Sequence, residues 1–154
     1  MNESTILIRP ATVNDAETVA RFNERLATES EGKTLDPGTI RAGVRTGLED
    51  SGRSLYFVAE IDGAIAGQLM ITTEWSDWHN GYYWWIQSVF VDEPYRRRGV
   101  FRSLYNHVRD IARSRVDVCG LRLYVHESNA RAKDTYESLG MEITAYQLCE
   151  EIWK

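Results

Sequence analysis

The stretch from Trp84 to Arg113 constrains the fold of this chain more than any other. It opens with an apolar run, Trp84 to Val91, of strand character. The run breaks at Asp92, Glu93 and Pro94. Tyr95, Arg96, Arg97, Arg98, Gly99 and Val100 follow, and then Phe101, Leu104, Tyr105, Val108, Ile111 and Ala112 fall close to the i, i+3, i+4, i+7 spacing of an amphipathic helix. This is strand, basic glycine turn and helix in direct succession. The first N–H groups of such a helix lack partners and sit at the positive end of its dipole, where an anion binds. Gly99 has no Cβ, so φ can be positive and a ligand can come close to the backbone. The arginines add charge and planar donors suited to phosphate. The pattern places a polyphosphate site between the strand end and the helix start. The rival reading is a solvated basic turn, and only the wider context separates the two.

Read in order, Thr5 to Pro10 is a first strand. Asn14 and Glu17 look like a helix start, with Ala16, Val19, Ala20, Asn23 and Leu26 on one face. Residues 28–35 are polar, a loop or a helix extension. Asp36-Pro37 starts a second helix, with Ile40, Val44 and Leu48 along it. Ser54 to Ile61 and Ala64 to Glu74 are strands joined by an Asp62-Gly63 hairpin turn. Trp75 to Gly81 is a loop, and Tyr82 to Val91 is the returning strand. After the long helix, Val118 to His126 must run parallel to that strand, because a helix separates them. Asn129 caps a short helix that Gly140 stops, and Glu142 to Glu151 reads as one more strand. The order βααβββαβαβ gives an α/β fold: a mixed, mostly antiparallel central sheet with helices on both faces. With 154 residues and no linker, repeat or low-complexity tract, residues 1–154 read as one domain.

Composition narrows the partners. The net charge of −5 argues against a nucleic-acid partner, and the arginine run is then a focused anion site. No apolar stretch is long enough to span a bilayer and no signal-peptide pattern is present, so a cytoplasmic protein is expected. Cys119 and Cys149 lack the spacing of a metal or disulfide pair and read as free thiols. A glycine turn also serves P-loop nucleotidases, but the Gly-Lys-Ser/Thr sequence is missing.

The element order, the Tyr95–Val100 turn and the segment from Glu127 to Met141 together resemble the GCN5-related N-acetyltransferase (GNAT) superfamily, over nearly the whole chain. The family turn, Gln/Arg-x-x-Gly-x-Gly/Ala, falls on Arg96, Gly99 and Phe101. The later signature, Asn-x-x-Ala-x-x-x-Tyr-x-x-x-Gly-Phe, falls on Asn129, Ala132, Tyr136, Gly140 and Met141. Phe101 stands where the family has a small residue, and Met141 where it has an aromatic.

The resemblance implies an acetyl-coenzyme A-dependent transferase whose sheet is splayed between the fourth and fifth strands. Val89, Phe90 and Val91 would line the pantetheine arm. The turn and helix start, Arg96, Arg97, Arg98, Gly99, Val100, Phe101 and Arg102, would hold the pyrophosphate. Asn129 would touch the pantetheine, and Tyr136 would protonate the departing thiolate. On spacing alone, Tyr136 is a core tyrosine and Asn129 an N-cap.

The acceptor side is read from the residues. The loop with Trp75, Asp77, Trp78 and His79 could wall a cationic or aromatic amine, or could instead pin itself to the body or form a dimer contact. Glu29 and Glu31 could close the same pocket or could simply be solvated. Acetyl transfer needs a neutral amine, so some group must take its proton. Glu74, at a strand end, is the favoured base, with Asp77 and His79 as rivals. Gln87, on the central strand, cannot serve. No metal site is expected. A small-molecule amine is the expected acceptor, a protein amine or a non-catalytic acyl-coenzyme A sensor are the alternatives, and a homodimer is compatible with the exposed last strand.

Overall fold

A computed structural model describes residues 5–154, which form two compact units dividing after Leu123. The first unit is a five-stranded sheet in sequence order: β1 (Leu7–Pro10), β2 (Leu55–Ile61), β3 (Ala64–Ser76), β4 (Gly81–Val91) and β5 (Val118–Leu123). The first four strands run antiparallel to their neighbours, and β5 lies parallel to β4. The connections dictate this. Asp62 (φ 51°) and Gly63 (φ 79°) carry the two positive φ angles of a type I′ hairpin turn, which only reverses the chain. Between β4 and β5 stands α3 (Val100–Ser114), and a helix crossover returns the chain in the same direction.

Side-chain alternation sorts the sheet into two faces. On one, α1 (Ala16–Glu31) and α2 (Pro37–Glu49) bury Val19, Ala20 and Val44 against Tyr56 and Val58. Phe22 of α1 packs on Phe90, with ring centroids 5.1 Å apart. On the other, α3 buries Val100, Leu104 and Val108, and His107 meets the Phe57 ring edge-on. The start of α3 settles at Gly67. A Cβ there would lie 2.8 Å from the Phe90 carbonyl oxygen and 3.1 Å from Val100 Cγ1.

Several boundaries differ from the sequence reading. The first helix is set by Thr12 and Asp15 instead of Asn14 and Glu17. The Asp15 carboxylate accepts from the Thr12 N–H at 2.7 Å and is gripped at both oxygens by Arg9. Buried Asp15 needs that guanidinium, which is why it takes the capping position. Helix α1 continues to Glu31, where Gly32 (φ 62°) stops it. Strand β3 runs on to Ser76, so the tryptophan loop is mostly hairpin, and β5 ends at Leu123. At Asp36-Pro37 sequence and structure agree: the Asp36 carboxylate accepts from the Thr39 N–H at 2.8 Å.

The second unit contains α4 (Ala130–Ser138). Asn129 caps it by accepting from the Ala132 N–H at 3.1 Å, and Gly140 (φ 95°) follows its end. The strand expected over 142–151 is not formed: residues 141–154 lie in no helix or strand. Among the described residues, no helix is long and apolar enough to cross a membrane.

Candidate active site

The central feature is a change of partners along β4. From Tyr82 to Ile86 the strand pairs with β3 on one side and β5 on the other, and the last β4–β5 pair is Ile86 with Leu123. At that point Ile86 faces Ile71 and Ser88 faces Met70, so Gln87 is an extra, bulged residue. A bulge bends its strand and interrupts pairing. From Gln87 to Val91 the strand goes on pairing with β3, while β5 no longer accompanies it. The direction of the backbone groups follows from one bond: the Asp92 N–H donates to the Ala66 oxygen at 2.9 Å. Stepping back by twos, Phe90 and Ser88 point their backbone groups at β3, and Val89 and Val91 point theirs to the other side. Arg96 Nε donates to the Val91 oxygen at 3.0 Å, as that orientation requires. The splay between the fourth and fifth strands is therefore a ladder edge bearing Val89 N–H and C=O.

The chain then turns through Asp92–Gly99 into α3. Gly99 is the N-cap, with φ 80° and ψ 8°, and no side chain caps the helix. The Ser103 N–H reaches the Gly99 oxygen at 3.0 Å, so the helical bonds begin there and the Val100, Phe101 and Arg102 N–H groups precede them. A Cβ on Gly99 would meet nothing within 4 Å, so the space above the helix start is open. Arg97 is also held at positive φ, 63°. Arg97, Arg98 and Arg102 are exposed, and Arg98 lies over the Tyr95 ring. The Phe101 ring lies along α3 beside Tyr105, 6.1 Å between centroids.

Arg96 does a different job from its neighbours. Besides Val91, it reaches Glu29 Oε2 at 2.6 Å and lies over the Phe90 ring. Arg25 lies over the same ring and pairs with Asp92 and Glu29. The end of α1, the end of β4 and the basic turn are thus fastened together around Phe90. Glu29, expected beside an acceptor, is held by these two arginines, and Glu31 pairs with Lys33 at 3.0 Å.

A second cluster lies on the face shared with α1 and α2, before the bulge. Glu74 Oε2 accepts from Trp85 Nε1 at 2.7 Å and from Arg122 Nη1 at 3.2 Å. The Arg122 guanidinium stacks 3.6 Å from the Tyr83 ring centroid, and His79 meets the other rim of this group through Tyr83. Thr72 continues the row, accepting from Gln87 Nε2 at 2.8 Å. Polar groups therefore run from Glu74 to the first residue of the unpaired half of β4. The tryptophan loop does not join them. Trp75 is one residue from Glu74 on a strand, so it faces the opposite side, where it meets the Tyr82 ring edge-on. Trp78 is 88% exposed at the hairpin tip, and Asp77 is exposed in the same turn.

Sequence reasoning missed Arg25, Asp92 and Arg122, whereas alternation along the strand already put Tyr83 and Trp85 on one face. The aromatic run was visible, but pairing Arg122 with Glu74 needs the parallel β4–β5 register. In the second unit, burial pushes the Tyr136 phenol above its ordinary range, so it is protonated at neutral pH. Among the described residues no group of three or more His, Cys, Asp or Glu side chains could hold a metal ion.

Comparison with known proteins agrees with this geometry. The model of the acetyltransferase (GNAT) family matches residues 21–141. A possible acetyltransferase from Clostridium difficile 630 shares 43% identity and superposes with a TM-score of 0.92, over 97% of this chain and 98% of that one. An aminoglycoside N-acetyltransferase solved with coenzyme A has 16% identity and a TM-score of 0.78, over 97% and 95% of the two chains. A ribosomal-protein-alanine N-acetyltransferase from Brucella melitensis biovar Abortus 2308 has 15% and 0.75, over 97% and 100%. No curated protein matches the sequence. The chain belongs to the GNAT acetyltransferase family. It is an enzyme of the acyltransferase class.

Proposed function

We propose that this enzyme moves an acetyl group from acetyl-coenzyme A to a primary amine of a small molecule. The observation that carries the reading is the unpaired half of β4 leading into the uncapped start of α3. An extended chain of amides such as pantetheine can add to a strand edge as a further strand would, and a pyrophosphate suits free helix N–H groups at an open glycine. Val89 and Val91 would hold the first, and the amides from Arg97 to Arg102 the second, with Arg98 and Arg102 adding charge. Acetyl-coenzyme A would supply the activated thioester.

The chain's own groups then have defined tasks. The outward Val89 N–H would donate to the carbonyl oxygen as charge builds on it, in the manner of an oxyanion donor. Both bonds to Glu74 end on Oε2, which leaves Oε1 to take a proton from the incoming ammonium, directly or through water. Tyr83 and Trp85 would flank the amine. Tyr136, kept protonated, would give its proton to the leaving thiolate, and Asn129 would touch the pantetheine. A compact aromatic and polar cluster favours a small acceptor. Two proteins named as aminoglycoside acetyltransferases share this fold, at 16% and 15% identity.

The test is thermal unfolding with acetyl-coenzyme A, with ADP as control. At about 100 times the dissociation constant the ligand adds roughly 2.7 kcal/mol, or several degrees. Gly99→Asp, which places a carboxylate where the phosphate would sit, should abolish the shift. No shift in the wild type, or an equal one with ADP, would refute the reading. An amine screen for thiol release identifies the acceptor. With that acceptor, Tyr136→Phe should lower kcat at least about 10-fold while leaving cofactor affinity within about 2-fold. Unchanged kcat would remove Tyr136 from the mechanism.

A further inference from the structure

The ion pair between Glu74 and Arg122 is built differently from two others in this chain. Arg9 grips both oxygens of Asp15 with two guanidinium nitrogens, and Arg115 does the same with Asp117. That two-pronged fit follows from the shapes of the two planar groups. Arg122 instead gives a single nitrogen, Nη1, to a single oxygen, Glu74 Oε2, at 3.2 Å, and the Trp85 indole N–H donates to that same oxygen at 2.7 Å. Within the first unit Glu74 Oε1 accepts no hydrogen bond, and Arg122 Nε and Nη2 donate none.

The half-used pair is held in place by its surroundings. Tyr83 pairs with Gly120 across β4 and β5. With no side chain at Gly120 the Tyr83 ring lies close over β5, and a Cβ there would stand 3.0 Å from it. The Arg122 guanidinium stacks 3.6 Å from the centroid of that ring and lies 5.8 Å from the Trp85 ring. Stacking fixes the plane of a guanidinium without using its in-plane donors. The cluster carries one fixed charge of each sign. Of the other carboxylates expected on the acceptor side, Glu29 is bound by Arg25 and Arg96, Glu31 by Lys33, and Asp77 stands in the hairpin turn.

We propose that the acceptor is an amino acid, an amine that carries a carboxylate on the same carbon or the next one. This rests on the amine transfer proposed above and names its substrate class. The ammonium would take Glu74 Oε1, and the carboxylate would take Arg122 Nε and Nη2, the edge that Glu74 leaves unused. The 3.2 Å contact keeps these open ends close together, which suits charges separated by one or two carbons. A zwitterion matches a balanced pair, whereas a polycation would find no surplus of negative charge in it.

The test measures thiol release from acetyl-coenzyme A with amino acids, their methyl esters and the amines left by decarboxylation. Spermidine and an aminoglycoside serve as polycations. The best acceptor should be a free amino acid, with kcat/KM at least about 10-fold above its ester and its amine. Arg122→Gln should remove that preference, chiefly through KM, and leave the unfolding shift with acetyl-coenzyme A as in the wild type. Arg122→Lys, which keeps the charge but not the fork, should fall between the two. An ester or amine turned over as well as the acid, a polycation as the best acceptor, or a preference that survives Arg122→Gln would overturn the proposal. Absence of thiol release with every amine would count against the transfer reading instead. The carboxylate site is then read by tryptophan fluorescence, since Trp85 lies in the cluster. Saturable quenching by free amino acids that Arg122→Gln abolishes would uphold the site, and no such quenching by any of them would overturn it.

Discussion

The two halves of β4 share one strand and one neighbour, β3, yet they differ in everything built on them. Tyr82–Ile86 is locked between two strands, and its side chains form a cluster closed by Glu74 and Arg122. Gln87–Val91 has lost its second neighbour, and there it is the backbone of Val89 and Val91 that is presented. A single inserted residue, Gln87, separates a region that presents side chains from one that presents main chain. The lesson is that an open strand edge can be made by ending a pairing as well as by adding residues.

The sharpest way to break this comparison is through two glycines, one beside each half. At Gly67 an added Cβ meets the Phe90 carbonyl and Val100. Backbone cannot yield there, so Gly67→Ala should cost about 2–3 kcal/mol and lower Tm by roughly 5–10 °C. At Gly120 the Cβ meets only the Tyr83 ring, at 3.0 Å. Gly120→Ala should cost about 1 kcal/mol, roughly 3 °C. Equal losses in differential scanning calorimetry would mean that α3 is not seated on the unpaired half.

Arg96→Gln probes the fastening of that half. It removes the bonds to Val91 and Glu29, both exposed, so Tm should move by less than about 2 °C. Acetyl-coenzyme A affinity, measured by calorimetric titration, should fall about 10-fold, or roughly 1.4 kcal/mol. An unchanged affinity would show that the turn keeps its shape without Arg96.

The smallest effect serves as a control, because it lies at the other end of the sheet. The Arg9 guanidinium, ahead of the Thr12 N–H bond, holds the Asp15 carboxyl below its usual range. A depressed carboxylate contributes stability above its unfolded pKa of about 4, and that contribution is lost as pH falls through the lower folded value. Asp15→Asn should therefore be less stable at pH 7 and lose less stability on acidification, as urea titrations at several pH values would show. The cofactor-induced shift at pH 7 should not change.

What the sequence disclosed was mostly local. Gly99, Asp36-Pro37, Asp62-Gly63, and Asn129 with Gly140 announce themselves because φ, cap and turn chemistry act over a few residues. The arginine turn was legible in place but not in division of labour: Arg96 is bound to Glu29 across 67 positions of sequence. The acceptor side was read less well for the same reason. Extending β3 to Ser76 fixed the parity that sends Trp75 away from Glu74, and no local pattern marks where a strand stops.

The parallel pairing of β5 also has a consequence in time. The β2–β3 and β3–β4 hairpins close short loops, and such hairpins form in roughly 1–10 μs. Seating β5 requires the whole of α3 to be laid down first, a longer loop to close and hence a slower event. The meander that carries Val89 can thus exist before its parallel neighbour arrives. The parallel strand is thus among the last parts of the sheet to be set in a newly made molecule.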